Sequence, residues 1–265
     1  MRPDPFELLA LAVEVAQAAG TLVLDKRPAD LRVAATKSSP TDVVTEMDRA
    51  SETLITTTLR AARPLDGLLG EEGTADAGRT GVRWLVDPID GTVNYLYGIP
   101  AWSVSVAAEV DDEIVAGVVH VPQLGETFTA TRGGGAYRDG TPIHANPATD
   151  LSQALVGTGF GYESARRARQ AEVVRRLLPE VRDIRRVGSC AIDLCWVACG
   201  RLDAYFERGP QPWDLAAGTL IAHEAGAVVA GLHGQPPSTE LTIAAPSGLF
   251  GQLHDLLAAA GADRD

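Results

Sequence analysis

The run Trp84–Thr92, WLVDPIDGT, constrains this chain more than any other stretch. Trp84, Leu85 and Val86 form an apolar segment of the kind that fills a central strand. It runs straight into Asp87 and Asp90, with Pro88 between them. Asp and Pro are both poor strand residues, and proline is confined to edges, first positions and bulges. A fold containing this junction must end a buried strand where two like charges are required. Gly91-Thr92 follows at once. If a helix begins there, its first backbone N–H groups are unpaired and point outwards, an anion site suited to phosphate. Glycine allows the close backbone approach.

Two further acidic positions have the same character. Glu71-Glu72 in LLGEEG follows an apolar pair, and Asp214 in PWDLAAG opens a helical pattern. Carboxylates converging on one point repel one another, and some of their pKa values rise. A divalent cation removes that repulsion, and carboxylate and carbonyl oxygens are the hard ligands Mg²⁺ prefers. Taken alone, Asp214 reads as a helix-start acid. Two acids in one tight turn, Asp87 and Asp90, exceed what a turn needs. Metal ligands beside a phosphate cradle imply phosphoryl transfer, with the metal stabilising attacking and leaving oxygens. No G-x-S-x-G nucleophile motif is present. His223 makes no H-E-x-x-H zinc site, because Ala227 stands fifth in that window; it reads as a satisfied structural histidine.

The 265 residues carry a net charge of −12. Such acidity disfavours nucleic acid or an anionic membrane as the main partner. It suits an enzyme that meets an anionic substrate through cations. No apolar run in the sequence reaches the ~20 residues of a spanning helix, the N-terminus lacks the pattern of a signal peptide, and a cytoplasmic location is expected. Cys190, Cys195 and Cys199 are odd in number and lie within one helical pattern, so they read as buried reduced thiols.

Elements follow from periodicity. Asp4 caps a first helix that starts at Pro5, with Glu7 as the returning acid. The loop KSSPTD at Lys37–Asp42 precedes a second helix from about Thr45 to Ala62, with Ala50, Leu54 and Leu59 apolar. Leu68-Leu69, Val82–Val86, Ser103–Val110, Glu113–Val121 and Glu126–Arg132 read as strands. Beyond residue 150 strands alternate with helices: Ala154–Phe160, Ser164–Leu178, Asp183–Val187, Cys190–Gly200, Leu202–Glu207, Trp213–Ala225, Leu241–Ala245 and Leu249–Ala260. The expectation is one compact unit of two sub-domains, 1–150 with the metal and phosphate motifs and 151–265 with the substrate side. The segment Glu163–Arg186 holds eight arginines against four acids and reads as a solvated helix face, with a partner surface as the alternative. GTGFGY at Gly157–Tyr162 reads as a loop, and Trp213 as a wedge under its helix.

Taken together, GEE at Gly70–Glu72, WLVDPIDGT at Trp84–Thr92, WDLAAGTLIAHEAG at Trp213–Gly226 and KSSPTDVVTEMD at Lys37–Asp48 resemble the signatures of the inositol monophosphatase family. These are Mg²⁺-dependent, lithium-sensitive phosphatases, and the likeness is to the bacterial inositol-1-monophosphatases. The resemblance runs from about Lys37 to Val229. It implies an α+β fold, a layered α-β-α-β-α sandwich of the inositol monophosphatase and fructose-1,6-bisphosphatase type, usually a homodimer. It implies Glu71, Asp87, Asp90, Asp214 and the Ile89 carbonyl as metal ligands. Glu71 and Thr92 would act on the attacking water, with Asp48 tuning Thr92. Asp90, Gly91 and Thr92 would meet the phosphate, and Gly188, Ser189 and Glu207 the polyol. The implied substrate is a small phosphorylated polyol, inositol-1-phosphate first. Histidinol phosphate, a nucleotide or sugar bisphosphate, or a second role with the transcription machinery are the alternatives. Cys190 stands where a small apolar residue is usual in the family.

Overall fold

The computed structural model describes residues 3–28, 31–37 and 43–264. The chain opens with α1 (Pro5–Asp25), capped by Asp4, whose Oδ1 accepts from the Phe6 N–H. The strands β1 (Ala35–Thr36) and β2 (Val43–Val44) pair antiparallel, and the predicted loop at 38–42 lies outside the described residues. Helix α2 (Glu46–Ala62) begins in a capping box between Thr45 and Asp48. There follow β3 (Gly67–Gly70), β4 (Ala75–Asp76), β5 (Val82–Asp90), the short α3 (Thr92–Tyr97), β6 (Ser103–Val110), β7 (Glu113–Val121), β8 (Glu126–Thr131), β9 (Gly135–Arg138) and β10 (Thr141–Pro142). These form an eight-stranded sheet in the order β10-β9-β8-β7-β6-β5-β3-β4, antiparallel except between β3 and β5.

The later residues supply β11 (Leu155–Thr158), α4 (Ser164–Leu177), β12 (Asp183–Arg185), α5 (Cys190–Ala198), β13 (Ala204–Glu207), α6 (Pro212–Glu224), β14 (Ala227–Ala230), β15 (Thr242–Pro246) and α7 (Ser247–Ala260). Their five strands form a second sheet, β12-β11-β13-β15-β14. The sequence reading contains no counterpart of β14, a four-residue strand at the sheet edge. It is too short to show alternation.

Strand parity explains the layers. Trp84 and Val86 of β5, Val104 and Val106 of β6, and Ala116 and Val118 of β7 pack with α1 and α2. Leu85, Ala107 and Val119, one residue out of phase, pack with α5 and α6. Both faces of this sheet are covered, because successive side chains point to opposite sides. In the second sheet Tyr205 and Ala244 face α5 and α6, while Phe206, Ile243 and Ala245 face Leu249, Leu253 and Leu257 of α7. The stacking is therefore α-β-α-β-α.

By length and composition α1 is the one helix among the described residues apolar enough to cross a membrane, although Glu7 and Glu14 keep its sequence from being an unbroken apolar run. Its stripe Leu8, Ala12, Val15, Ala16, Ala19 and Val23 lies against the sheet, each at most 1 % exposed. Small residues on that stripe let the helix approach β6 and β7 closely. Full burial of each Leu or Val there contributes about 1.5–3 kcal/mol.

Candidate active site

The predicted strand Val82–Val86 continues to Asp90. Asp87 pairs with Ser105 and Asp90 with Ser103, so three steps on β5 face two on β6. This is a β-bulge at Pro88–Ile89, one of the places a strand tolerates proline. The bulge has a chemical consequence. Residues three apart on a regular strand point to opposite faces, and the extra residue returns Asp90 to the side that Asp87 faces. Both acids line one cleft of about 480 Å³, with Glu71, Thr92, Glu207 and Asp214. The Ile89 side chain packs the other way, into the core under α1 and α2.

Parallel pairing of β3 with β5 sets Gly70 opposite Val86, and the Glu71 N–H donates to the Val86 carbonyl. Glu71 thereby emerges beside Asp87. Asp214 arrives from the first turn of α6, where its Oδ2 accepts from the Gln211 N–H at 2.7 Å. Asp214 caps its helix, as its position in the sequence suggests, and it also lines the cleft. Asp90 lies at the start of α5: its Oδ2 accepts from the Ser189 hydroxyl at 2.5 Å and the Ala191 N–H at 2.7 Å. Ser189 is buried beneath the cleft and holds Asp90, whereas Gly188 lines the cleft. Gly91 precedes α3 with φ +98°, and a Cβ there would meet the carbonyls of Ala101 and Gly188 at 3.1 Å.

Thr92 is fixed from behind. Its hydroxyl lies 3.0 Å from Asp48 Oδ1 and 3.0 Å from the Ile89 carbonyl. Asp48 Oδ2 accepts from the Thr45 N–H at 2.8 Å and its hydroxyl at 2.5 Å. One helical turn on, the Ser51 hydroxyl donates to the Pro88 carbonyl inside the bulge at 3.1 Å. Glu52 accepts from the Glu72 N–H, the Thr74 N–H and the Thr74 hydroxyl at 2.7, 3.1 and 2.6 Å, tying down the turn that carries Glu71. The sequence reading missed Ser51 and Glu52. A signal existed: Asp48, Ser51, Glu52, Ile55 and Leu59 make one helical stripe, all buried. The apolar face of α2 continues into polar residues that lie beside the cleft; Ile55 and Leu59 are its buried centre, and Ala50 and Leu54 pack half-buried along its side.

Burial dominates the electrostatics. Desolvation, then the nearby Glu71, Asp90 and Asp214 charges, push Asp87 well above the carboxylate range. Asp87 lies within hydrogen-bonding reach of both Glu71 and Asp214. Desolvation also raises Glu71 and Asp214. It pushes Asp90 up to about 6, against the Ser189 hydroxyl and the start of α5, and Asp48 to about 6, against its hydrogen bonds from Thr45 and Thr92. Glu207 rises to about 7 through desolvation, opposed by the Tyr205 hydroxyl and Arg186. Lys37 is the cation in contact with the acids, 2.7 Å from Glu71 and 2.7 Å from Glu72. Burial works against its charge, but the two glutamates more than offset that and raise its pKa.

Four buried or half-buried carboxylates held close without matching positive charge fit a hard divalent cation. Among the described residues no three acidic, His or Cys side chains already converge as a finished shell. Asp90 and Asp214 each commit an oxygen to a helix start, and Lys37 stands on Glu71.

The opposite wall comes from segments the sequence reading left as loop or solvated face. Gly159, Phe160, Gly161 and Tyr162 line the cleft with Arg166 and Arg186. Other arginines of that segment are tied locally: Arg167 to the Gly161 and Tyr162 carbonyls, Arg176 to that of Ala259, Arg182 to Gln153. Trp213 lines the cleft half-buried. His223 is exposed beside Glu224, because it falls on the solvent side of α6. Cys190 and Cys195 are buried and Cys199 half-buried, all free. In the segment after the bulge, Tyr95 packs against Trp102 and donates to the Val23 carbonyl. Asn94 bridges the Ala101 and Val187 carbonyls.

The family model described as the inositol monophosphatase family matches residues 4–263. The chain is 46 % identical to an inositol-1-monophosphatase of Mycobacterium leprae, over 85 % of this chain and 84 % of the relative. It is 37 % identical to the Nus factor SuhB of Escherichia coli, over 86 % of each. The solved structure of Mycobacterium tuberculosis SuhB superimposes with a TM-score of 0.85 at 40 % identity, covering 98 % of this chain and 99 % of that one.

Proposed function

This chain belongs to the inositol monophosphatase family, a family of phosphoric monoester hydrolases, and we propose that it hydrolyses a small polyol phosphate, inositol-1-phosphate above others, with Mg²⁺. One observation carries the reading. Acids from three separated segments, Glu71, Asp87 with Asp90, and Asp214, face the same cleft as Thr92 and Glu207. The M. leprae relative's name supports inositol-1-phosphate as the ester.

Glu71, Asp87, Asp90, Asp214 and the Ile89 carbonyl would hold the metal. Bound Mg²⁺ polarises phosphoryl oxygens and lowers the pKa of water. The chain's own residues do the rest. The Thr92 hydroxyl donates to Asp48, which leaves its oxygen free to accept from the attacking water. Glu71, beside it, takes the second hydrogen bond and aims the water at phosphorus. The first amides of α3, after Gly91, hold the phosphoryl oxygens. A new P–O bond forms from water as its proton passes to Glu71, the ester P–O bond breaks in line, and its electron pair leaves on the polyol oxygen, which takes up a proton from solvent. Glu207 accepts from hydroxyls of the polyol and disfavours a second phosphate there. We take the working form as a homodimer; Tyr97, the last residue of α3, and Ile99 just beyond it are exposed apolar groups such an interface covers.

The test is a panel of phosphate esters with Mg²⁺. Inositol-1-phosphate should give the highest kcat/KM; preference for histidinol phosphate or a bisphosphate overturns the substrate, and no release from any ester overturns the reading. A binding role beside catalysis is the second reading, motivated by the name of the E. coli relative. An Asp90→Asn chain that restores a deletion phenotype supports it.

A further inference from the structure

Glu207 is confined on two sides by groups outside the chemistry described so far. Tyr205, two residues earlier on β13 and fully buried, donates its hydroxyl to Glu207 Oε2 at 2.8 Å. Residues two apart on a strand share a face, so the phenol lies beneath the carboxylate, on the side of the middle helices. On the other side stands Gly159. A Cβ there would lie 2.0 Å from Glu207 Oε2, 2.1 Å from Cδ and 2.2 Å from Oε1. Any side chain at 159 would occupy the place of the whole carboxyl group. Cys190 lies on the cleft wall nearby. Among the described residues, neither Tyr205 nor Glu207 is hydrogen-bonded to Asp87, Asp90 or Asp214.

From this geometry we infer that Tyr205 is a positioning residue that sets the cleft's selectivity for hydroxyl-bearing esters: it holds Glu207 in one orientation, in the space Gly159 leaves open. The inference rests on the reading of Glu207 as the acceptor for substrate hydroxyls. A free glutamate loses rotamer freedom when it binds a hydroxyl, an entropic cost that weakens binding. Here the tertiary structure has already imposed that loss, with one oxygen committed to the phenol and one available. Tyr205 itself stays out of contact with substrate. Phe206, its neighbour, faces the opposite layer with Ile243 and Ala245, so the assignment is specific to one face of β13.

The experiment compares inositol-1-phosphate with 4-nitrophenyl phosphate, which carries no alcohol hydroxyl, on the full chain with Mg²⁺. Tyr205→Phe removes one oxygen and keeps the ring in its pocket. The ratio of kcat/KM for the polyol ester to that for the aryl ester should fall about tenfold, the scale of one hydrogen bond. The fall should come through KM, with kcat for the polyol ester held. Gly159→Ala should lower the same ratio by displacing the carboxylate. Glu207→Gln, run alongside, separates the two claims. If Glu207→Gln lowers the ratio and Tyr205→Phe does not, the role of Tyr205 is overturned and Glu207 stands. If neither lowers it, the reading of Glu207 falls and this inference with it. A uniform loss on both esters with a lower Tm in Tyr205→Phe marks a purely structural residue and also overturns it.

Discussion

The two walls of the cleft are built in different ways. The carboxylate floor is made of strand ends and helix starts locked into the core: Asp48, Ser51, Glu52, Asp87, Asp90 and Thr92 are all buried. The far wall, Gly159 to Arg166 with Arg186, is a glycine-rich segment and a helix start in which Tyr162, Glu163 and Arg186 are exposed. The floor holds groups that repel one another, so it needs a rigid frame. The far wall stands across the cleft from these acids and is open to solvent. Under the proposed function the chemistry belongs to the rigid side, and the open side meets the group the phosphate is attached to.

The sharpest way to break that division is Asp90→Asn. Turnover should fall by at least about 10²–10³-fold, the scale for losing one preorganised electrostatic group. The metal-free variant should also melt higher than the parent, since a buried repelling charge is gone while Ser189 and Ala191 keep an acceptor. Near-parental phosphate release would remove Asp90 from the floor.

Next comes Glu52→Ala, which leaves the Glu72 and Thr74 amides without their acceptor. About 3 kcal/mol of stability should be lost, together with about 10–100-fold in activity as Glu71 loosens. Urea unfolding and steady-state rates measure the two; full activity in a destabilised protein would detach Glu52 from the site.

A third test uses pH. In the folded, metal-free chain Asp48 and Asp90 sit at about 6 and Glu207 at about 7, above the ~4 of an unfolded carboxylate. The folded chain then binds more protons than the unfolded between about pH 4 and 7, so stability falls as pH rises through that window. Calorimetry in a chelator should give a higher Tm at pH 5.5 than at pH 7.5, and Mg²⁺ should recover the loss at pH 7.5. A Tm that climbs with pH, or ignores Mg²⁺, contradicts the floor's electrostatics.

The smallest effect belongs to the far wall. Arg166→Ala should change KM for the polyol ester by less than about threefold and leave kcat alone, because a half-exposed charge is screened. A kcat loss as large as that of Asp90→Asn would erase the distinction between the walls.

Much of the floor was legible in the sequence because its residues are clustered: GEE, DPIDGT and PWD each set acids at a break in an apolar run. Its supports were harder to read. Ser51 and Glu52 look like ordinary polar positions of a helix until the helix is docked on the sheet. The far wall left little trace, since GTGFGY has the composition of any loop and local sequence carries no information about what the loop faces. Tyr205 likewise reads as a core strand residue, and only the sheet shows its hydroxyl beneath Glu207.

The chain by itself therefore determined the kind of chemistry and the alternation of elements, through residue types and periodicities that act over a few positions. The tertiary structure alone decided that Asp87 and Asp90 face the same way, because a bulge is a mismatch between two strands and exists only once β5 pairs with β6. It alone brought Glu71 beside Asp87, Ser189 beneath Asp90 and Gly159 against Glu207, contacts between residues far apart in the chain, whose closeness is set by the packing of sheets and helices.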